Sequence, residues 1–316
     1  MTGAAAPAGA SQAPRSVPLR KRMRRELRVR ALLALLPLAS HLPHRLAVAL
    51  GGAAGWIAWY ASSRHRRAAL AHLALAFPDR SPKWRARVGR QSFASLGRCA
   101  LEIAMGDGLD LAEAVQFDPG SLEALTSAHA EGRGVVAISC HLGNWELLAR
   151  RVARERLPVA TIAREAQDPR LTAVLERTRA NSGIVSLWRG SAGAIRAMIR
   201  HIRSGGILAA LIDQDTDVAG HFVPFFGKEA FTPRAPADLV LRTGAAVVFA
   251  RTRRVAPTVH RITISRVSVP PSGDADADSR TLTAELTHQI EEEVRSHPDQ
   301  WVWMHARWRT QRGTIR

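Results

Sequence analysis

His141 and Glu146 stand five residues apart in the stretch VVAISCHLGNWELLA, Val135 to Ala149. A neutral imidazole whose tautomer is fixed by a carboxylate is a general base, able to take a proton from a hydroxyl. Within one helix that spacing turns the two side chains ~140° apart, onto different faces. They meet only if the His sits on a loop and the Glu on the first turn of the helix that follows. Val135-Val136-Ala137-Ile138 is a β-branched apolar run, a strand signal. His141-Leu142-Gly143-Asn144 breaks the run, and Asn144 is a good N-cap for a helix beginning at Trp145. The bland alternative is that His141 satisfies a backbone group and Glu146 complements the helix dipole.

The elements that must position this pair extend beyond it. Strand-like runs fall at 135–140, 158–163, 184–187, 206–212, 245–250 and 259–265, with helical patterns between the earlier ones. In 192–203, for example, Ile195, Met198, Ile199 and Ile202 recur at helical spacing. Alternation of this kind predicts an α/β fold, a largely parallel central sheet flanked by helices. Ligands of such sheets bind beyond the carboxyl ends of the strands. Three polar residues follow strand ends there: His141 after VVAISC, Arg164 after PVATIA and Asp213 after GILAALI. The ordinary readings are a salt bridge or cap partner for Arg164 and a turn residue for Asp213 in Asp213-Gln214-Asp215. Cys140 adjoins His141, but neighbouring strand residues point to opposite faces. Cys140 therefore reads as a buried small apolar residue.

The chain of 316 residues is long enough for a full core. Its formal charge is +18 and its pI about 11.6. Only Lys21, Lys83 and Lys228 are lysines, against 42 arginines. With the abundant alanine, that skew fits a GC-rich genome. What remains is a basic surface suited to anionic partners: lipid headgroups, a phosphorylated glycolipid or an acidic carrier protein. No zinc-finger spacing or RNA-recognition aromatic motif is present, so nucleic acid is not an expected partner. Cys99 and Cys140 form no disulfide framework, which fits a reducing compartment.

Residues 1–18 are rich in Ala, Pro, Gly and Ser without periodicity and read as a disordered tail. Residues 19–61 read as a basic and apolar, membrane-associated helical segment. LRKRMRRELRVR at 19–30 precedes two apolar runs, Ala31–Ala39 and Leu46–Ala61. Neither run reaches the ~20 residues that span a bilayer, and Pro37 and Pro43 interrupt them. Basic residues flank both ends, so both flanks favour the cytoplasmic side and the segment an interfacial seat. Trp56, Trp59 and Tyr60 suit a headgroup belt. The alternative is a pair of core helices. Residues 62–316 would then form the main domain, mostly helical to about 130.

Two aromatic stretches complete the reading. HFVPFFGKEAFT at 221–232 reads as an apolar loop, either packed under a lid or lining a hydrocarbon groove. WVWMHARWR at 301–309 reads as a packed terminal strand with solvated arginines, or as an amphipathic patch for phosphate and interface.

The motif HLGNWE is an H-x4-E motif, and the surrounding chain resembles the bacterial lipid A late acyltransferases (lauroyl and myristoyl acyltransferases). AREAQDPRL at 163–171, IDQDTDVAGHFVPFFGKEAFTP at 212–233, DQWVWMHARWRTQR at 299–312 and LALAFPDRSPKWRARVGRQSFASLGRCALE at 73–102 carry the resemblance. It implies transfer of a fatty acyl chain from acyl carrier protein or acyl-CoA to a hydroxyl of a membrane glycolipid, a lipid A precursor, at the cytoplasmic face of the inner membrane. By the family's pattern His141 is the base and Glu146 orients and polarises it. Arg164 is implied for anionic-substrate or oxyanion stabilisation and Asp213 for site organisation. Asn144, Phe225 and Phe226 complete the expected substrate-binding set. Neither metal nor redox cofactor is expected, since the thioester is already activated, and no protein nucleophile is evident. Ala235-Pro236, where the family often has Gly-Pro, and Ala246 and Phe249, where many members have Pro, are departures expected to reshape the acceptor pocket. Phosphatidylinositol mannoside acyltransferases share the scaffold and are the nearest rival. A non-catalytic basic membrane-binding protein and a metal hydrolase through His141 and Glu146 are the other classes. The hydrolase lacks a third ligand and the HExxH spacing.

Overall fold

A computed structural model describes residues 37–164, 168–190 and 193–313, with Met23, Glu26, Val29, Arg30 and Leu33 before them. The tail at 1–18 and most of the basic run at 19–30 lie outside the described residues. The first long helices are α1 (His44–Ala61), α2 (Ser63–Ala76) and α3 (Pro82–Met105). Ser81 caps α3 from its side chain and Pro82 starts it, the expected order of cap and first-turn proline. Helices α1 and α3 approach backbone to backbone. A Cβ at Gly51, Gly55 or Gly97 would run into main-chain atoms of the other helix. The Gly51-x-x-x-Gly55 spacing therefore sets a close crossing of the kind small residues allow.

A seven-stranded sheet forms the centre. Its strands are β1 (Val115–Phe117), β2 (Val135–Ser139), β3 (Val159–Ala163), β4 (Val185–Trp188), β5 (Ile207–Leu211), β8 (Ala246–Ala256) and β9 (Val259–Val267). The order is β1-β9-β8-β2-β5-β3-β4, and every neighbouring pair is parallel except the hairpin of β8 and β9. The α/β, largely parallel expectation holds. The run expected at 206–212 is β5, and that at 245–250 extends to Ala256. α4 (Leu111–Ala114) leads into β1, α5 (Ser121–Ala130), α6 (Trp145–Ala153), α7 (Pro169–Asn181), α8 (Ala194–Arg203) and α9 (Ala235–Thr243) lie between strands, and α10 (Ala275–Ser296) follows β9.

The pleat of β2 divides the core. Val136, Ile138 and Cys140 face one layer with α8, α9, α10 and the C-terminal tryptophans. Val135 and Ala137 face the other, with residues of α5 and α6. Because strand side chains alternate, one short run anchors both layers and fixes where its last residue emerges.

The stretch read as a loop at 221–232 is a second, two-stranded sheet, β6 (Gly220–Phe225) paired antiparallel with β7 (Lys228–Pro233). Its turn residues Phe226 and Gly227 both have positive φ, 54° and 67°. That is the twist a two-residue hairpin turn requires, and Gly227 meets it without strain. Alternate burial of His221, Val223 and Phe225 was the missed period-2 signal. Ala246 and Phe249, expected at an acceptor pocket, are buried core residues of β8, and Ala235 and Pro236 open α9. Among the described residues no helix is long and apolar enough to cross a membrane.

Candidate active site

β2 and β5 are neighbours in register, with Ser139 opposite Leu211. Two residues further along each strand stand His141 and Asp213. The pairing thus delivers a base and a carboxylate to one point at the carboxyl edge. His141 Nδ1 lies 2.7 Å from Asp213 Oδ1, and the His141 backbone N–H donates to Asp213 Oδ2 at 2.7 Å. Trp301 Nε1 donates to the same oxygen at 2.7 Å. Burial alone would raise the Asp213 carboxyl, but the His141 charge and these donors outweigh it and hold it well below the usual carboxylate range. An ionised Asp213 on Nδ1 fixes that nitrogen as N–H. Nε2 is left carrying the lone pair, with the Gln214 side-chain amide 3.1 Å away and the His141 side chain 14% exposed.

The loop is shaped to hold this pose. Gly143 has φ 59°, and a Cβ there would strike the Thr252 carbonyl of β8. Residues 300–302 strap the loop: Leu142 bridges Trp301, Gly143 N–H donates to Gln300 O and Val302 N–H to His141 O, both at 3.2 Å. The His141 ring meets Trp145 and His305 edge-on, with ring centres 4.8 and 4.9 Å away.

Glu146 is placed differently from the expectation. It sits on the first turn of α6, as the spacing required, but its carboxylate pairs with Arg179 of α7, from Nε at 3.0 Å and from Nη2. The hydrogen bond to the His141 ring comes instead from Asp213, because strand register aligns these two while Glu146 turns to a cation on the neighbouring helix. Asn144, expected to bind substrate, is fully buried. Its Oδ1 accepts from Leu147 N–H as the N-cap of α6, and its Nδ2 donates to Glu102 Oε2 at 3.0 Å. Phe225 and Phe226, expected against substrate, are 1% and 6% exposed. Phe225 packs on Trp301 and Trp308, and Phe226 on Phe77 and Trp303. The apolar loop is packing, because the hairpin folds its alternate residues into the aromatic core. Arg307, read as solvated or as a phosphate ligand, is buried and donates to Phe231 O at 2.8 Å and Thr232 Oγ1 at 2.7 Å.

Arg164 follows β3, on the far side of β5 from β2. Two inter-strand spacings put its backbone roughly 10 Å from that of His141 along the edge. It is exposed. Arg189, at the end of β4, is its neighbour. Burial and the Arg164 charge both push the Arg189 guanidinium down, and its Nη1 donates to Thr216 Oγ1 at 3.0 Å. The edge thus carries a cationic half beside the His141 half, which suits an anionic substrate. Sequence reasoning missed Arg189, although it too follows a strand end. It also missed Trp301 as the clamp on Asp213, and Gln214 and His305. Gln214 Nε2 lies 3.1 Å from His141 Nε2 and 2.8 Å from His305 Nδ1.

Both cysteines are buried, and burial pushes the Cys99 thiol to about 12 and the Cys140 thiol well up. Neither is a thiolate nucleophile at neutral pH. Among the described residues no three His, Cys, Asp or Glu side chains converge to hold a metal ion.

The family model for bacterial lipid A biosynthesis acyltransferases matches residues 19–310. The chain belongs to this family. It is 26% identical over 273 residues to a lipid A biosynthesis palmitoleoyltransferase of Escherichia coli K12, covering 85% of this chain and 87% of the relative. It is 24% identical over 278 residues to the lipid A biosynthesis lauroyltransferase of the same strain, covering 86% and 88%. A phosphatidylinositol mannoside acyltransferase of Mycobacterium tuberculosis (strain CDC 1551 / Oshkosh) is 25% identical over 195 residues, 60% of this chain and 59% of that protein. The chain is an acyltransferase of glycolipid biosynthesis, and its H-x4-E stretch lies at the carboxyl edge described above.

Proposed function

We propose that this acyltransferase moves a fatty acyl chain from a thioester, on acyl carrier protein or coenzyme A, to a hydroxyl of a lipid A precursor at the cytoplasmic face of the inner membrane. The observation that carries the reading is the His141 ring, held through Nδ1 by a buried carboxylate, with its Nε2 lone pair at the carboxyl edge beside the exchangeable side-chain amide of Gln214. Nε2 takes the hydroxyl proton as the oxygen attacks the thioester carbon. The thiolate then leaves and recovers that proton from the imidazolium. Transfer is direct, with no acyl-enzyme. Asp213 stabilises the imidazolium as it forms. Glu146, paired with Arg179, locks α6 to α7 and so holds the helix that starts at the His loop. Arg164 and Arg189 face the anionic groups of the substrates.

Membrane seating is supported by α1. Its outer face exposes Leu46, Leu50, Trp56, Ile57 and Tyr60, and Arg45, Arg64 and Arg67 flank it. An interfacial helix bounded by basic residues fits the anionic cytoplasmic leaflet.

The relatives differ in acceptor, so the test presents both. Purified protein is incubated with acyl carrier protein or coenzyme A thioesters and with either a lipid A precursor or a phosphatidylinositol mannoside, and products are read by mass spectrometry. Acylation of the lipid A precursor supports the reading. Acylation of the mannoside alone moves the enzyme to the other acceptor class, and no transfer to either, from an enzyme that binds glycolipid, supports a non-catalytic binder.

A further inference from the structure

The group that faces the lone pair of His141 is the side-chain amide of Gln214. Asp213 holds Nδ1 as the protonated nitrogen, so Nε2 accepts, and the Gln214 group 3.1 Å away must be its N–H side. The same amide nitrogen lies against the face of the His305 ring, 2.8 Å from Nδ1 and 3.1 Å from Nε2. Gln214 is thus held between two imidazoles. The geometry has a chemical consequence. Once Nε2 has taken a proton it no longer accepts, and it presents an N–H directly at the Gln214 N–H. Two donors at that separation are satisfied either by a turn of the amide that brings Gln214 Oε1 to Nε2–H or by a substrate oxygen bonded to both.

We propose that it is the substrate oxygen, at the reacting centre: Gln214 is a catalytic residue that donates to the oxyanion of the tetrahedral intermediate, and His305 is the positioning residue that aims it. The assignment rests on the acyl-transfer reading above. In the step, the acceptor O–H gives its proton to His141 Nε2 and its oxygen bonds to the thioester carbon. The carbonyl π pair moves onto its oxygen, where the Gln214 N–H receives it. When the C–O double bond re-forms, the C–S bond breaks and the sulfur takes the proton back from Nε2–H. The Gln214 bond to oxygen strengthens only as charge develops, so it lowers the barrier rather than merely tightening binding. His305 suits its part because burial, and then the nearby His141 charge, push its imidazole down to about 4. It stays neutral, and so does not repel an amide N–H laid against its ring, at any pH where the enzyme would work.

Neighbouring contacts fix the same segment. Asp215, one residue on, accepts from Thr310 N–H at 2.6 Å and from Thr310 Oγ1 at 2.8 Å. The Asp213-Gln214-Asp215 run and the chain after Trp301 are therefore tied together on both sides of Gln214.

The test is steady-state kinetics of the full-length protein with an acyl carrier protein thioester and a lipid A precursor. Gln214→Ala is expected to lower kcat by about 10²–10³-fold, the usual cost of one oxyanion donor, with KM for both substrates within about threefold. Gln214→Glu, of the same size but without the donor, should be equally slow. His305→Ala should lose part of the rate, and His305→Phe, which keeps a flat ring against the amide, should recover some of it. The Gln214→Ala/His305→Ala double variant should be no slower than Gln214→Ala alone, because His305 acts through Gln214. Thermal unfolding establishes that each variant is folded. An active wild type with Gln214→Ala and Gln214→Glu within threefold of its kcat overturns this assignment alone, as does a His305 loss that multiplies with that of Gln214. A wild type that transfers to no acceptor overturns the acyl-transfer reading and the assignment with it.

Discussion

Two carboxylates lie beneath the loop that carries His141, and the protein treats them in opposite ways. Asp213 faces the carboxyl edge and takes its bonds from the His141 ring, the His141 backbone and Trp301. Glu102, on α3, is fully enclosed and saturated. It accepts from Arg254 at 2.8 and 2.6 Å, from Asn144 at 3.0 Å, and meets His260 at 3.1 Å and His44 at 3.0 Å. Burial raises both carboxyls and their partners lower them further, so both are held well below the usual range. The difference is what the partners can still do. The Glu102 charge is balanced by the Arg254 guanidinium, which stays protonated at any working pH, and that makes the cluster a rivet. Asp213 has no arginine among these partners, only the His141 ring, which can take a proton at Nε2 and give it back, and that makes this cluster a site. A buried carboxylate with a histidine is thus no mark of catalysis by itself. A ring that can exchange a proton at the carboxyl edge, on a carboxylate with no arginine bound to it, is.

The comparison is broken most forcefully at the site. His141→Ala should lose about 10²–10⁴-fold in acyl transfer or more, and Asp213→Asn a loss of the same order, with the fold retained. Kinetics beside circular dichroism check both. At the rivet the effect should be on stability. Glu102→Ala leaves the largely enclosed Arg254 without its counter-charge, which costs on the order of 3–5 kcal/mol in a urea titration. If Glu102→Ala lost activity at unchanged stability, the rivet reading would be wrong.

Asn144 joins the two regions, capping α6 and donating to Glu102. Asn144→Ala should cost about 1–2 kcal/mol and lower kcat with the shift of the loop. Asn144→Asp, which keeps the cap but brings a second carboxylate to Glu102, should be no better.

The smallest effect is the dependence on pH. Asp213 and Glu102 have folded values below their unfolded ones, so the stability they give is complete above roughly pH 4. It is lost as pH falls through the folded values. His305 is neutral when folded down to about 4, against an ordinary 6.5. The unfolded chain therefore binds more protons between those values, and stability should decline as pH falls from about 6.5 toward 4. His305→Asn should make that upper limb shallower, since His72, His221 and His260, also pushed down by burial, still contribute to it, and should leave the acid limb of the carboxylates. Urea midpoints at pH 7, 5.5 and 4.5 separate the two.

Much of this was legible in the chain. The β-branched run before His141, the break at Gly143-Asn144 and the strand-end positions of Asp213 and Arg164 gave the sheet and its active edge. The partner of His141 was not legible. Sequence proximity pointed to Glu146, but hydrogen bonding follows strand register, which set β5 beside β2 and not the chain neighbour beside the loop. Phe225 and Phe226 misled for a related reason: an apolar run looks alike in a loop at a groove and in a hairpin packed on tryptophans. Gln214 and His305 are 91 residues apart and carry no motif of their own. Their meeting depends on the strap at 300–302, which only the folded chain reveals.

The central claim, that Asp213 and not Glu146 is the carboxylate that works through His141, is tested most directly by a double-mutant cycle on kcat/KM. Asp213→Asn and Glu146→Gln are each measured in wild type and in His141→Ala. The account predicts that the Asp213→Asn loss nearly vanishes once His141 is gone, while the smaller Glu146→Gln loss, which comes through the Arg179 pair, persists in both backgrounds. A Glu146→Gln loss that vanishes with His141, beside an Asp213→Asn loss that multiplies with it, would contradict the account.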